Sequence, residues 1–292
     1  MDDTAPPSSG EKPDSEPRKQ HLISKVLLRR FARSGSAGQV GSFDLLHGML
    51  YLRHPTRVGW RWDFVEHQAT EMEELWQETE THLAAALDAV EAGTVLDLPA
   101  ETATLRRAIA LHFMRRDQVK DSFGTSLDKA RVGITAPPDF HGDPAAFRTA
   151  VRARLDDERA ATFTENLRAL FDKAESLASR SQLEVVHSEA PLLVGDTAVV
   201  SIRRDGGVGF IPFSDAATHV LPVGRHHLVA LAKESRMLEL SEAWAHRLNE
   251  QQILNARERV FFHPDDPLES FVREVRDRHQ ASQSKDVPRP PT

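Results

Sequence analysis

The sequence has no cysteine among its 292 residues. A disulfide framework and any thiolate metal site are therefore excluded, which fits a reducing compartment. No run approaches the roughly 18 apolar residues that a membrane-spanning helix needs. The first residues, MDDTAPPSSGEKPDSEPRKQ, hold no apolar segment of the kind a secretory signal requires. The expected location is cytoplasmic, with no membrane partner. Basic excess is also missing: the formal net charge is −7 with His neutral, which argues against a dedicated duplex-DNA binder. Several motifs are absent as well. There is no GxxxxGK[ST] phosphate loop, no GxGxxG after a strand, no GxSxG elbow, no HExxH helix and no kinase set.

What is there is ordinary globular material, with 40% hydrophobic and 28% charged residues, enough for a real core. Residues 1–17 and 280–292 are polar and Pro-rich and read as flexible tails. Residues 18–279 read as one globular domain, helical over 18–182 and sheet-containing over 183–279. No Gly-, Ser- or Pro-rich linker separates the halves.

QHLISKVLLRRFA reads as a short helix or an extended lead-in to one, broken by Gly35, Gly38 and Gly41, with a strand over Val40–Leu45. Met72, Leu75, Trp76, Leu83, Leu87 and Val90 give a strong helical pattern between Trp60 and Ala92, with acidic residues between them. A second helix is expected over 100–119. Asp143-Pro144 is a helix start that leads to about Arg180 with a break near 156–161. After Leu183 the runs become β-like: LEVV, PLLVGDTAVVSI, VGFIPF, THVLPV and HHLVALA. Asp205-Gly206 signals a hairpin. Helix is expected again over 238–257, ERVFF reads as a strand, and Asp266-Pro267 opens a last helix ending near His279. Helices followed by strands, without alternation, predict an α+β fold: a helical body with a small, mainly antiparallel sheet in the C-terminal half.

The polar residues that stand out are few. His21 borders an apolar run and has the chemistry of a base, acid or ligand, as well as that of a hydrogen-bonded structural residue. His112, Arg115 and Arg116 in AIALHFMRR read either as a helix surface with snorkelling Arg or as an anion site. Asp196 interrupts an apolar run after Gly195 and needs a partner, so it is either a turn cap or a functional carboxylate. His226 and His227 are adjacent and would point to opposite faces of a strand. His263-Pro-Asp-Asp carries ligand-type residues but reads equally as a loop. Asn249 and Asn255, six apart on one helix, share no face. No metal site is assigned, and the cofactor and partner stay open.

In order along the chain, these fragments resemble a widespread bacterial family of uncharacterised proteins. That family opens with Gln-His-Tyr-Val-Pro and a Leu-x-x-Phe segment. Here these are Gln20-His21-Leu22-Ile23-Ser24 and Leu28-Arg29-Arg30-Phe31-Ala32. Ile109–Arg115 resembles its Arg-ended helix, and Gly195-Asp196-Thr197-Ala198-Val199 its Ser-Asp-Asn-Pro-Val strand. Leu221-Pro222-Val223 resembles a Pro-Leu strand. Asn249, Ala256, Arg259 and Val260 match a late helical Asn followed by Ala-x-x-Arg and a strand. Leu22-Ile23-Ser24 replaces Tyr-Val-Pro, and Ala198 replaces the Pro after Asp. The resemblance covers about 20–263 and implies that His21, Asp196, Asn249 and Arg115 meet in one pocket. His21 and Asp196 would be catalytic, and Arg115 and Asn249 would bind substrate. Such a set suits acid–base hydrolysis of a phosphate-containing substrate with anion stabilisation. The competing expectation is a non-catalytic binding or regulatory module, and a toxin-like or defence role overlaps both.

Overall fold

In the computed structural model the described residues are 19–35, 38–205 and 211–285. The architecture is α+β, as expected, but its strands are not confined to the C-terminal half. Strand β1 (Lys19–His21) and helix α1 (Lys25–Arg29) come first. They are followed by β2 (Val40–Asp44), β3 (Met49–Arg53) and β4 (Trp60–Trp62). Helices α2 (Ala69–Glu91), α3 (Pro99–Met114), α4 (Asp117–Val132), α5 (Pro144–Asp157) and α6 (Arg159–Arg180) form the helical body. Strands β5 (Gln182–Ser188), β6 (Val194–Gly195), β7 (Val200–Arg203), β8 (Ala216–Pro222), β9 (His227–Ala232) and β10 (Arg236–Leu240) follow. Helix α7 (Glu242–Asn255), β11 (Arg259–Phe262) and α8 (Leu268–Lys285) complete the chain.

Three sheets result among the described residues. β1 and β4 make a two-stranded antiparallel ribbon. A five-stranded sheet has the order β10-β5-β9-β8-β7, antiparallel except for the parallel pair β10–β5. A four-stranded antiparallel sheet has the order β3-β2-β11-β6 and so joins N-terminal to C-terminal sequence. Asp143 caps α5 by accepting from the Ala145 and Ala146 amides, with Pro144 at the first helical position.

Some elements differ from the sequence expectation. The stretch 60–68 is strand and loop, and α2 starts only at Ala69. The expected helix over 100–119 is two helices that meet at Arg115 and Arg116, and the second runs on to Val132. Leu238 and Leu240 lie in β10, not in a helix. Helix α8 reaches Lys285, six residues past the expected end. The expected tail over 1–17, residues 286–292 of the other expected tail, the Gly206 half of the hairpin signal and the first half of VGFIPF fall outside the described residues. The flanking strands β7 and β8 do pair antiparallel.

The largest hydrophobic cluster draws on Leu22, Phe31, Phe64, Trp76, Leu87, Ile109, Phe171, Val185, Val229 and Phe261. It therefore spans both the helical and the sheet-bearing sequence. The three helices α2, α3 and α6 pack together with α1 against the ribbon end, and this places the polar residues described next.

Candidate functional site

Helix α2 sets the geometry. Met72, Trp76, Leu83 and Leu87 form its buried stripe. Glu73, Gln77, Glu80 and Thr81 lie at i, i+4, i+7 and i+8, which puts them on a neighbouring stripe. Across from this stripe stand His21 at the end of β1, Lys25 in α1, and Arg115 at the C-terminus of α3. Together they line a polar cleft of about 320 Å³.

Arg115 is 2% exposed although it carries a charge. Its guanidinium lies 4.4 Å over the Trp76 ring and forms an ion pair with Glu80. The same Glu80 oxygen accepts the Ser24 hydroxyl at 2.8 Å. The Ser24 amide donates to His112 Nε2 at 3.2 Å, and His112 Nδ1 donates to the Ala108 carbonyl at 2.8 Å. These bonds fix the tautomer of His112 and give its ring a structural task. They also tie α1, α2 and α3 together beneath the cleft.

Burial, helped by the Lys25 and Arg115 charges, lowers the His21 pKa to about 4. Burial raises that of Glu73. Burial would also raise Glu80, but the Arg115 charge and the bonds from Arg115 and Ser24 outweigh it and hold its carboxyl below the usual range. Three buried atoms of this group, His21 Nε2, Glu73 Oε1 and Arg115 Nε, have no hydrogen-bond partner among the described residues. Buried polar atoms in native proteins usually pair with protein or with ordered water or a ligand, and eight further buried atoms among the described residues share this state.

The other two expected site residues lie elsewhere. Asp196 follows β6 and accepts three backbone amides: Arg257 at 2.8 Å, Glu258 at 2.7 Å and Arg259 at 3.0 Å. Its own amide donates to the Arg259 carbonyl at 2.9 Å. Burial pushes its pKa up to about 6 against the pull of these donors. Asn249 on α7 is fully buried. It accepts the Leu193 amide at 3.0 Å and donates to the Pro191 carbonyl at 2.9 Å. One turn on, Gln252 accepts the Gly195 amide and donates to the Ala198 carbonyl, both at 2.9 Å. The two amide side chains thus stitch the segment 191–198 to α7. Gly195 is needed there, because a Cβ would sit 2.9 Å from the Gln252 carbonyl oxygen.

Asp196 borders a second cleft of about 340 Å³, together with Arg57, Trp60, Trp62, Asp117 and Arg259. Asp117 forms an ion pair with Arg61 there. The structure therefore brings His21 and Arg115 together and sets Asp196 and Asn249 outside their cleft. Arg116, the neighbour of Arg115, donates to the Phe113 carbonyl at 2.9 Å and does not line the cleft.

Glu73, Gln77 and Glu80 went unread in the sequence because acidic residues between apolar helical positions look like a solvated face. Their i, i+4, i+7 spacing was the available signal. Among the described residues, no three His, Asp or Glu side chains are grouped as a metal ion would require. Nor is any helix among them long and apolar enough to cross a membrane. Searches of curated proteins and of solved structures return no match. A family model for proteins of unknown function, DUF4238, matches residues 19–266, a span that holds both clefts and every residue lining them, and the chain belongs to that family.

Proposed function

We propose that the cleft between β1, α1, α2 and α3 is an anion-binding acid–base site, and that the protein hydrolyses a phosphate-containing substrate there. The observation that carries this reading is the set of three unpartnered buried polar atoms, on His21, Glu73 and Arg115, around one polar cleft. Lys25 and Arg115 are the cations for an anionic group, and guanidinium suits phosphate oxygens.

With a pKa near 4 the His21 imidazole is neutral at pH 7 but a weak base. An anion that offsets Lys25 and Arg115 removes two of the causes that lower this pKa. Substrate therefore activates the base. In the proposed step His21 Nε2 takes a proton from water as its oxygen bonds to phosphorus. The ester P–O bond breaks, and the leaving oxygen takes a proton from solvent, while His21 returns to water the proton it took. Arg115 and Lys25 hold the charge on the phosphoryl oxygens. Asp196 and Asn249 act here as scaffold rather than as chemical groups. The reading treats 18–279 as one unit, supported by a core drawn from both halves, and keeps the cytoplasmic location expected from the sequence.

Titration with inorganic phosphate, followed by turnover assays on nucleotides and simple phosphate esters, tests the reading. His21→Ala should abolish turnover, by roughly 10²-fold or more, and leave phosphate affinity within a few-fold. Phosphate binding without turnover of any ester would select the non-catalytic binding module instead. Absence of phosphate binding would refute the site.

A further inference from the structure

The ribbon that presents His21 also presents two indoles. Register pairs His21 with Trp60 and Lys19 with Trp62. In an antiparallel pair, directly opposed side chains share a face, and so do residues two apart along one strand. Lys19, His21, Trp60 and Trp62 therefore lie on one face, while the opposed pair Gln20 and Arg61 lies on the other. The ring contacts agree. Lys19 Nζ sits 4.2 Å over the Trp60 ring, and Trp60 and Trp62 meet edge to face at 5.3 Å.

Trp62 is 57% exposed. An indole held in fixed geometry by a neighbouring ring, with most of its surface in water, is a ready stacking surface. Across the ribbon, opposed Cβ atoms are about 5 Å apart. Trp62 lies about 7 Å further along than Trp60. The indoles thus begin beside His21 and lead away from its cleft into the neighbouring cleft bordered by Asp117 and Asp196, whose lining they join. Arg57 stands at the rim of the neighbouring cleft, where its amide donates to the His54 carbonyl at 2.8 Å.

We propose that Trp62, supported by Trp60, stacks the nucleobase of a substrate whose phosphate occupies the His21 cleft, so that the ligand class is a nucleoside phosphate, free or at the end of a single strand. The inference rests on the anion site proposed above and narrows it. Nucleotides unite the two features that the surface offers, a planar π system and a phosphate, and their sugar bridges the interval between them. Lys19 lies over Trp60, near where further phosphate would pass.

Four probes separate the possibilities: inorganic phosphate, ribose 5-phosphate, adenosine monophosphate and a short single-stranded oligonucleotide. Binding is followed by calorimetry on the full chain. Adenosine monophosphate should bind about 10-fold more tightly than ribose 5-phosphate. Trp62→Ala should erase that difference and leave ribose 5-phosphate affinity unchanged, and Trp62→Phe should restore most of it. Trp62 is exposed, so the variants keep the fold, which circular dichroism checks. Equal affinity of the two monophosphates for the wild type overturns the stacking platform and leaves the anion site standing. Loss of both affinities together in Trp62→Ala overturns it as well. Failure of all four probes overturns the anion site and this inference with it. An oligonucleotide that binds far more tightly than the monophosphate supports the platform and assigns a polynucleotide. Comparable affinities support it and assign a mononucleotide.

Discussion

Replacing Asp196 with Ala removes one carboxylate that accepts three consecutive backbone amides, at 2.7 to 3.0 Å. A hydrogen bond to a charged group contributes about 1.5–3 kcal/mol net, and an unmatched buried donor costs a similar amount. The Arg257 and Glu258 amides are near solvent, and water can replace the lost acceptor, so about 1 kcal/mol each is appropriate. The Arg259 amide is more deeply placed, and about 2 kcal/mol is appropriate there. Burial of the carboxyl, which pushes its pKa up to about 6, keeps these values at the low end. The sum is a destabilisation of about 4 kcal/mol. Asp196→Asn keeps a single acceptor oxygen able to hold two of the three amides, and should cost about half as much. Urea unfolding followed by far-UV circular dichroism reads this directly. With a slope of roughly 2.5 kcal/mol per M, the Ala variant should lose about 1.6 M in midpoint. An Asp196→Ala protein within about 0.5 kcal/mol of wild type would refute the clamp and return Asp196 to the list of chemical groups.

Four further outcomes are expected. Burial holds His112 and His219 at pKa values of about 4 against an ordinary 6.5. Both therefore stay neutral when folded and gain protons on unfolding. Their contribution, roughly 3 kcal/mol each, is complete above about pH 6.5 and should be lost as pH falls toward 4 in a series of urea titrations; a flat profile over that window contradicts it. Asn249→Ala strands the Leu193 amide and the Pro191 carbonyl and should cost about 2–4 kcal/mol, read as a lower urea midpoint. Gly195→Ala forces a methyl against the Gln252 carbonyl oxygen and the Ala256 Cβ at 2.9 and 3.0 Å and should cost about 1–3 kcal/mol, measured by thermal unfolding. Inorganic phosphate should raise the His21 pKa in an NMR titration, because an anion offsets the Lys25 and Arg115 charges that help to lower it; an unchanged curve at saturating phosphate would place the anion elsewhere.

Much of the fold was legible where a local signal was strong. The stripe Met72, Trp76, Leu83 and Leu87 marks α2, and Asp143-Pro144 marks the start of α5. The break between α5 and α6 at Glu158 falls inside the expected interval. Failures came where tertiary context decides. Helix α4 buries only Asp117, Val119 and Gly124, so its first turns continue the pattern of α3 and its remainder carries no apolar stripe. Leu238 and Leu240 fit the helical spacing that leads to Trp244 and Leu248, yet they alternate on β10. That strand exists because β5, some fifty residues earlier, offers a parallel edge. The site divides in the same way. His21 and Arg115 stand out by residue type and position. Glu73 and Glu80 do not, because a carboxylate near an Arg at the far end of the next helix has no local signature. Asp196 and Asn249 stand out equally, but as clamps on backbone, a role that residue type alone does not separate from chemistry.

The place of β11 has a consequence for how the chain is made. β11 sits between β2 and β6, so the sheet that holds Phe43 and Leu50 lacks an inner strand until residue 262 has left the ribosome. The 215 residues from Leu45 to Arg259 take about 11–43 s to translate at roughly 5–20 residues per second. During that interval the β2–β3 hairpin is a nascent edge with its apolar face open, while α2, α3 and α6 can already associate behind it. Premature termination between α6 and β11 therefore yields a chain with a formed helical body and an uncovered hairpin, a natural client for chaperones and proteases.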